Sequence, residues 1–128
     1  MPGSVVDTSV LAAIAFNEPR AEEAVALLRV LDAELYAPLL TTYELTSVAY
    51  KKSLRYPQDR TALADALEVA LARDVRWVDV DHLGVLRVAL DRGLTTYDAS
   101  YLYLSWFLGV PLITFDEELQ AAAGHDGR

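Results

Sequence analysis

The chain has 128 residues, 53% of them hydrophobic, with 19 acidic against 11 basic side chains and a net charge of −8. That length suits one domain, residues 1–128, with a core of its own; no apolar run approaches the ~18 residues of a membrane span, and "MPGSVVDTSV" lacks the basic region of a signal peptide, so a cytoplasmic protein is expected. With no cysteine, disulfides, thiolate zinc sites and thiol nucleophiles are excluded.

Ser4 to Val6 reads as a short β-strand ending at Asp7, and "SVLAAIAF" as a helix stopped near Asn17 and Pro19. "AEEAVALLRVLDA" has a clear 3.6-residue period. "ELYAP" is a second strand closed by Pro38, a residue suited to the first position of the helix "LLTTYELTSVAYKKSLR". A further helix runs from about Gln58 to Arg73, and "VRWVDV" is a third strand. "HLGVLRVALDR" is helical up to Gly93, and the helix carrying Asp98 stops at Gly109, each glycine standing where a left-handed C-cap is expected. "VPLITF" is a fourth strand and "EELQAAA" a final short helix. Strands alternating with helices predict an α/β domain whose mainly parallel sheet is covered on both sides.

In such sheets ligands bind beyond the carboxyl ends of the strands. Asp7 and Asp116 stand there, each also at the start of a helix, where aspartate is a favoured N-cap. Glu44 lies four residues after Leu40 and four before Val48, so it interrupts the apolar stripe of its own helix. Asp98, four residues before Leu102, repeats the anomaly, and Thr95 and Thr96 are alternative caps for its helix. Two readings stand side by side: four separate caps and surface groups, or one cluster. Carboxylates gathered closely repel one another unless a cation compensates. Oxygen donors without Cys, and with His82 the one histidine outside the polar "GHDGR", favour Mg²⁺ or Mn²⁺. Such a site hydrolyses phosphodiesters without a histidine base.

Thr8, Ser9 and Thr114 sit beside these acids, either as hydrogen-bond partners of the carboxylates or as turn residues. Lys51, Lys52 and Arg55 follow Glu44 at spacings of seven, eight and eleven, on about the same helix face. They suit a phosphate backbone or, equally, the negative end of their helix. Tyr43, Tyr50 and Tyr56 are candidates for stacking bases, with packing the simpler use; Tyr101, Tyr103 and Trp106 read as core or self-association surface. The acidic balance argues against tight nonspecific binding to a phosphate backbone, which depends on clustered cations, but not against a nucleic-acid substrate at a cation-filled site.

The stretches "VVDTSVL", "YELTSVAYK", "LTTYDASYLYLS" and "LITFDEEL", in that order and spacing, resemble the PIN-domain ribonucleases, and among them the VapC-like toxins of toxin–antitoxin pairs. "D-T-S" alone is a weak sign; "T-x-Y-D-A-x-Y-L" followed by "P-L-I-T-x-D" is specific. The resemblance covers nearly the whole chain. It implies a PIN-like three-layer sandwich and places the family's acidic metal-binding and catalytic residues on Asp7, Glu44, Asp98 and Asp116, with Thr114 as their hydroxyl-bearing neighbour. It also implies Mg²⁺- or Mn²⁺-dependent cleavage of RNA, a homodimer, and inhibition by a cognate antitoxin. Family members commonly add a fifth strand after the last helix; here no apolar run remains after "AAAGHDGR", so that strand is expected to be missing or very short.

Other phosphoryl chemistries fit less well. A receiver-type phosphoacceptor wants a lysine after a late strand, whereas Lys51 and Lys52 lie in a helix; a haloacid-dehalogenase-like phosphatase wants an Asp where Ser9 stands. No glycine-rich phosphate loop or G-x-S-x-G elbow is present. The non-enzymatic alternative is an inactive PIN-like binding module whose acids are caps.

Overall fold

The computed structural model describes residues 3–31 and 34–125. Asp32 and Ala33, expected to end the second helix, and the tail from Asp126 lie outside the described residues. Strand β1 (Gly3–Val6) is followed by α1 (Thr8–Ala15) and α2 (Ala21–Leu31), and β2 (Glu34–Pro38) by α3 (Leu40–Arg55), a 3₁₀ turn at Pro57–Asp59 and α4 (Arg60–Leu71). Strand β3 (Val75–Val78) leads to α5 (His82–Arg92) and α6 (Thr96–Leu108), and β4 (Leu112–Ile113) to α7 (Glu117–His125).

The four strands form one parallel sheet in the order β3-β2-β1-β4. From β1 the chain builds outward through β2 to β3, then crosses to the other edge as β4. The sheet is apolar on both faces because both are covered. Val5 and Val6, consecutive in β1 and each 0% exposed, point to opposite sides. Val6 joins Val10, Leu11, Ala24, Leu45 and Ala70 of α1–α4, and Val5 joins Tyr101, Leu102, Leu104 and Leu119 of α6 and α7. Helix α5 closes over α6 through Val85, Ala89 and Ala99. Three layers result, as expected.

This topology makes one position special. Strands β1 and β4 are neighbours, yet α1 leaves β1 on one face and α7 leaves β4 on the other. Such a switch point opens a crevice at the carboxyl ends of the strands, and Asp7 and Asp116 stand at its rim.

Several boundaries differ from the sequence reading. Strand β4 spans two residues rather than six, because it pairs only with β1, Val5 opposite Leu112 and Val6 opposite Ile113, before the chain turns towards Asp7. Pro38 ends β2 opposite Val78 instead of opening α3; Leu39 N–H then takes the Val78 carbonyl at 2.9 Å, and β3 stops there rather than at Val80. Pro57 opens the 3₁₀ turn, which delays α4 to Arg60, and α4 ends at Leu71, short of Arg73. Gly93 and Gly109 cap their helices in the left-handed region, with φ of 67° and 69°. Among the described residues there is no fifth strand, and no helix is long and apolar enough to cross a membrane.

Candidate active site

Asp7 leaves β1 in extended conformation at the N-cap position of α1, yet makes no side-chain cap bond. Its carboxylate is used elsewhere. Oδ2 accepts from Thr114 Oγ1 at 2.5 Å and from Ser9 Oγ at 3.1 Å. Each hydroxyl in turn accepts a backbone N–H of the β4–α7 turn: Asp116 N to Thr114 Oγ1 at 2.9 Å, Phe115 N to Ser9 Oγ at 3.0 Å. Two hydroxyls thus bolt the turn that carries Asp116 to one oxygen of Asp7. Ser9 and Thr114 are therefore hydrogen-bond partners of the Asp7 carboxylate. Asp7 is 8% exposed, and burial raises its pKa against the lowering effect of the Thr114 and Ser9 hydroxyls and the neighbouring backbone N–H groups.

Glu44, half-buried on α3, is held in the same manner. Its Oε1 accepts from Thr8 Oγ1 at 2.6 Å and from the Tyr101 hydroxyl at 2.5 Å. The phenol oxygen also lies 2.7 Å from Thr41 Oγ1 and 2.6 Å from Thr8 Oγ1. Thr41 is 0% and Tyr101 1% exposed, so the hydroxyl network is sealed behind the carboxylate. Burial and the Glu44 charge push the Tyr101 phenol far above its ordinary range, which keeps it a donor.

The cap of α6 is Thr95, whose Oγ1 accepts the Asp98 backbone N–H at 3.1 Å. The Asp98 carboxylate is left for other work. It is raised by burial first, then by the charges of Asp116, Asp7, Glu44 and Glu118. The charges of the other three expected acids therefore reach Asp98. Asp116 alone makes a cap bond with its side chain, Oδ1 accepting Leu119 N–H at 3.0 Å. As the side chains stand, no three Asp, Glu or His of the described residues are gathered tightly enough to hold a metal ion.

The sequence reading missed three contributors. Thr41 carries no sign of a role in the sequence and Tyr101 reads as core or self-association surface, although each lies three residues from an acid on the same helix face. Glu118 went unremarked beside Asp116, and it is exposed on α7. The basic residues of α3 behave differently from one another. Lys52 pairs with Glu18 at 3.1 Å, Arg55 lies over the Tyr56 ring at 5.5 Å, and Lys51 is exposed.

The family model for the PIN domain matches residues 4–125. The chain belongs to the PIN-domain family. Within it, this PIN domain is 39% identical over 82 residues to "Exonuclease VapC9" of Pyrobaculum aerophilum, a match covering 64% of this chain and 62% of that protein, less than two thirds of its length. It also resembles the crystal structure of PAE2754 from Pyrobaculum aerophilum, with a TM-score of 0.78 and 30% identity over 94% of this chain and 84% of that one. The VapC likeness read from the motifs is met by these relatives, and the α/β sandwich of the PIN domain is met by the fold.

Two expectations follow from the geometry. Replacing Tyr101 by Phe strands the Thr41 hydroxyl and removes a donor from Glu44, so it should lower stability by about 1–3 kcal/mol; calorimetry of the variant checks this. Acidification should have the opposite sign. Burial holds the Asp7 and Asp98 carboxyls above the ordinary aspartate range in the folded chain, so the cost of their charges is fully present above those raised values and vanishes as pH falls to the ordinary aspartate range. The exposed pairs at Glu23 and Glu34, whose carboxyls are lowered, keep their contribution until pH falls through the ordinary glutamate range. The melting temperature of the metal-free PIN domain should therefore rise as pH falls from about 7 towards the raised carboxyl range. A fall in melting temperature across that interval would contradict the burial of like charges.

Proposed function

We propose that the chain is a metal-dependent ribonuclease that hydrolyses RNA phosphodiester bonds in the cytoplasm as the toxin of a toxin–antitoxin pair. What supports this reading is that Asp7 and Asp116 stand at the carboxyl ends of the neighbouring strands β1 and β4, and that their charges, with that of Glu44, raise the pKa of Asp98. Similarity to a protein named an exonuclease supports the nuclease class.

The donor set fits a hard divalent cation. Every candidate ligand is a carboxylate oxygen, and the surrounding groups are hydroxyls and amides. Asp7, Glu44, Asp98 and Asp116 would hold Mg²⁺ or Mn²⁺. When bound, the cation polarises a phosphoryl oxygen and makes hydroxide available near neutral pH. The chain's own residues prepare for that. Thr114 and Ser9 occupy Oδ2 of Asp7, and Thr8 and Tyr101 occupy Oε1 of Glu44, so each side chain is already oriented. Asp116 is fixed by its cap bond to Leu119. Lys51 and Arg55, beyond Glu44 on α3, remain for the phosphate backbone, while Lys52 is engaged by Glu18. A homodimer belongs to the same reading, and the exposed Leu83, Leu86 and Leu90 of α5 with Phe107 of α6 are apolar side chains it could cover. A cognate antitoxin belongs to it as well.

The rival reading, an inactive module whose acids are caps, accounts for Asp116 alone. Asp7 gives its Oδ2 to the Thr114 and Ser9 hydroxyls rather than to a cap hydrogen bond of α1, and Thr95 does the capping at Asp98. Incubating RNA with the protein in Mn²⁺, Mg²⁺ or EDTA tests the proposal, with cleavage expected only when metal is present. Millimolar Mn²⁺ should also raise the melting temperature over that in EDTA, because the cation binds the folded chain alone. Equal melting in the two conditions counts against the site.

A further inference from the structure

Each of the two helical acids is preceded by a tyrosine, Tyr43 before Glu44 on α3 and Tyr97 before Asp98 on α6. One helical step turns a side chain by about 100°, so the rings stand beside the acids rather than behind them. Both rings face solvent, Tyr43 at 78% and Tyr97 at 64% exposure. They line one cleft of about 440 Å³ together with Leu40, Ser47 and Glu44 itself. The same two tyrosines and Leu40 also line an adjoining cleft of about 260 Å³ that includes Pro38, Val78 and His82. Tyr50 and Tyr56, the other stacking candidates on this side of the sequence, line neither.

The lining decides what fits. Among the described residues no lysine or arginine borders either cleft, so an anionic group there would meet Glu44, and in the second cleft Asp79, uncompensated. A neutral, flat group with two apolar faces suits two exposed aromatic rings. Glu44 belongs both to the acidic centre and to this cleft, so the occupant adjoins the bond being cut.

We infer that the Tyr43–Tyr97 cleft is a nucleobase subsite, which takes the base of a nucleotide next to the scissile phosphate against the tyrosine rings. This rests on the ribonuclease reading above and narrows it. A base in a duplex has its faces covered by its neighbours and must leave the stack to reach a side-chain ring. The substrate is therefore RNA that is unpaired at that nucleotide. The stacking is sequence-tolerant, because every base offers a π-face.

The test combines protein variants with substrates lacking one base. Short single-stranded RNAs of one sequence carry a single abasic nucleotide, moved stepwise through the mapped cut site. The wild-type chain should lose about tenfold in kcat/KM when one flanking base is missing. Binding of the same RNAs by Asp7→Asn, followed by fluorescence anisotropy, should weaken at the same position. In the double variant Tyr43→Ala/Tyr97→Ala that position should no longer matter, and Tyr→Phe at each site should restore the sensitivity because the ring is what stacks. Both residues are exposed, and unchanged circular dichroism verifies the fold of the variants. An equal abasic penalty in the wild type and the double Ala variant, or none at any position, overturns the subsite and leaves the cleft to a partner polypeptide. Absence of any RNA cleavage or binding by the wild type overturns the ribonuclease reading and this one with it.

Discussion

Asp98→Asn and Asp98→Ala should both lose metal-dependent RNA cleavage, while the metal-free variants melt at or above the wild-type temperature. The structure removes the usual reason for expecting otherwise. An N-cap aspartate changed to Ala costs about 0.5–2 kcal/mol, and changed to Asn very little, but the cap of α6 is Thr95, so neither substitution touches it. What both remove is a half-buried charge facing Asp116, Asp7, Glu44 and Glu118. Without a cation that charge is unfavourable, and deleting it relieves the repulsion. With a cation it is a ligand. Partners one shell beyond a metal ligand cost about 10–100-fold when lost, so a ligand should cost at least the upper end of that range. Activity and apo stability then move in opposite directions. A variant that cleaves RNA at the wild-type rate and melts earlier would return Asp98 to a purely structural role.

Much of this arrangement was legible in the sequence because an acid on an apolar stripe breaks a period. Glu44 between Leu40 and Val48, and Asp98 ahead of Leu102, are visible as exceptions to helical amphipathicity, and in the fold the Glu44 charge reaches Asp98. Strand order was not legible to the same degree. Nothing local in "VPLITF" reveals that only Leu112 and Ile113 pair, since that length is set by β1, the sole neighbour of an edge strand. Tyr101 escaped for a related reason. A tyrosine three residues after Asp98 fits a core stripe as well as an acid's helper does, and only the fold brings its hydroxyl 2.5 Å from a glutamate 57 positions away in sequence. The same holds for Thr41, whose partner comes from another helix. Periodicity locates the anomalous residue; long-range packing chooses its partner. Lys52 shows the limit from the other side, since its spacing from Glu44 is plain in the sequence and its engagement with Glu18 is not.

Asp7→Asn and Thr114→Val should separate the charge at the centre from the scaffold that holds it. Asn keeps an oxygen for the hydroxyls of Thr114 and Ser9 to donate to, and it removes a charge that burial already disfavours. Its metal-free form should therefore melt no lower than wild type, while cleavage falls by at least about 100-fold, as for any lost ligand. Val at position 114 does the reverse. Thr114 is 4% exposed, and its hydroxyl both donates to Asp7 and accepts the Asp116 N–H. Removing it leaves two groups without their bond, at about 1–3 kcal/mol in stability, and loosens Asp7 and the Asp116 turn together, at about 10–100-fold in activity. The prediction is thus a crossing pattern: the Asn variant stable and inactive, the Val variant unstable and weakly active, with excess Mn²⁺ recovering part of the Val variant's rate and none of the Asn variant's. Thermal melting in EDTA and cleavage of single-stranded RNA over a Mn²⁺ series measure both axes. If Asp7→Asn retains cleavage at any Mn²⁺ concentration, the carboxylate charge is not what the reaction uses, and Asp7 becomes the anchor of the β4–α7 turn alone.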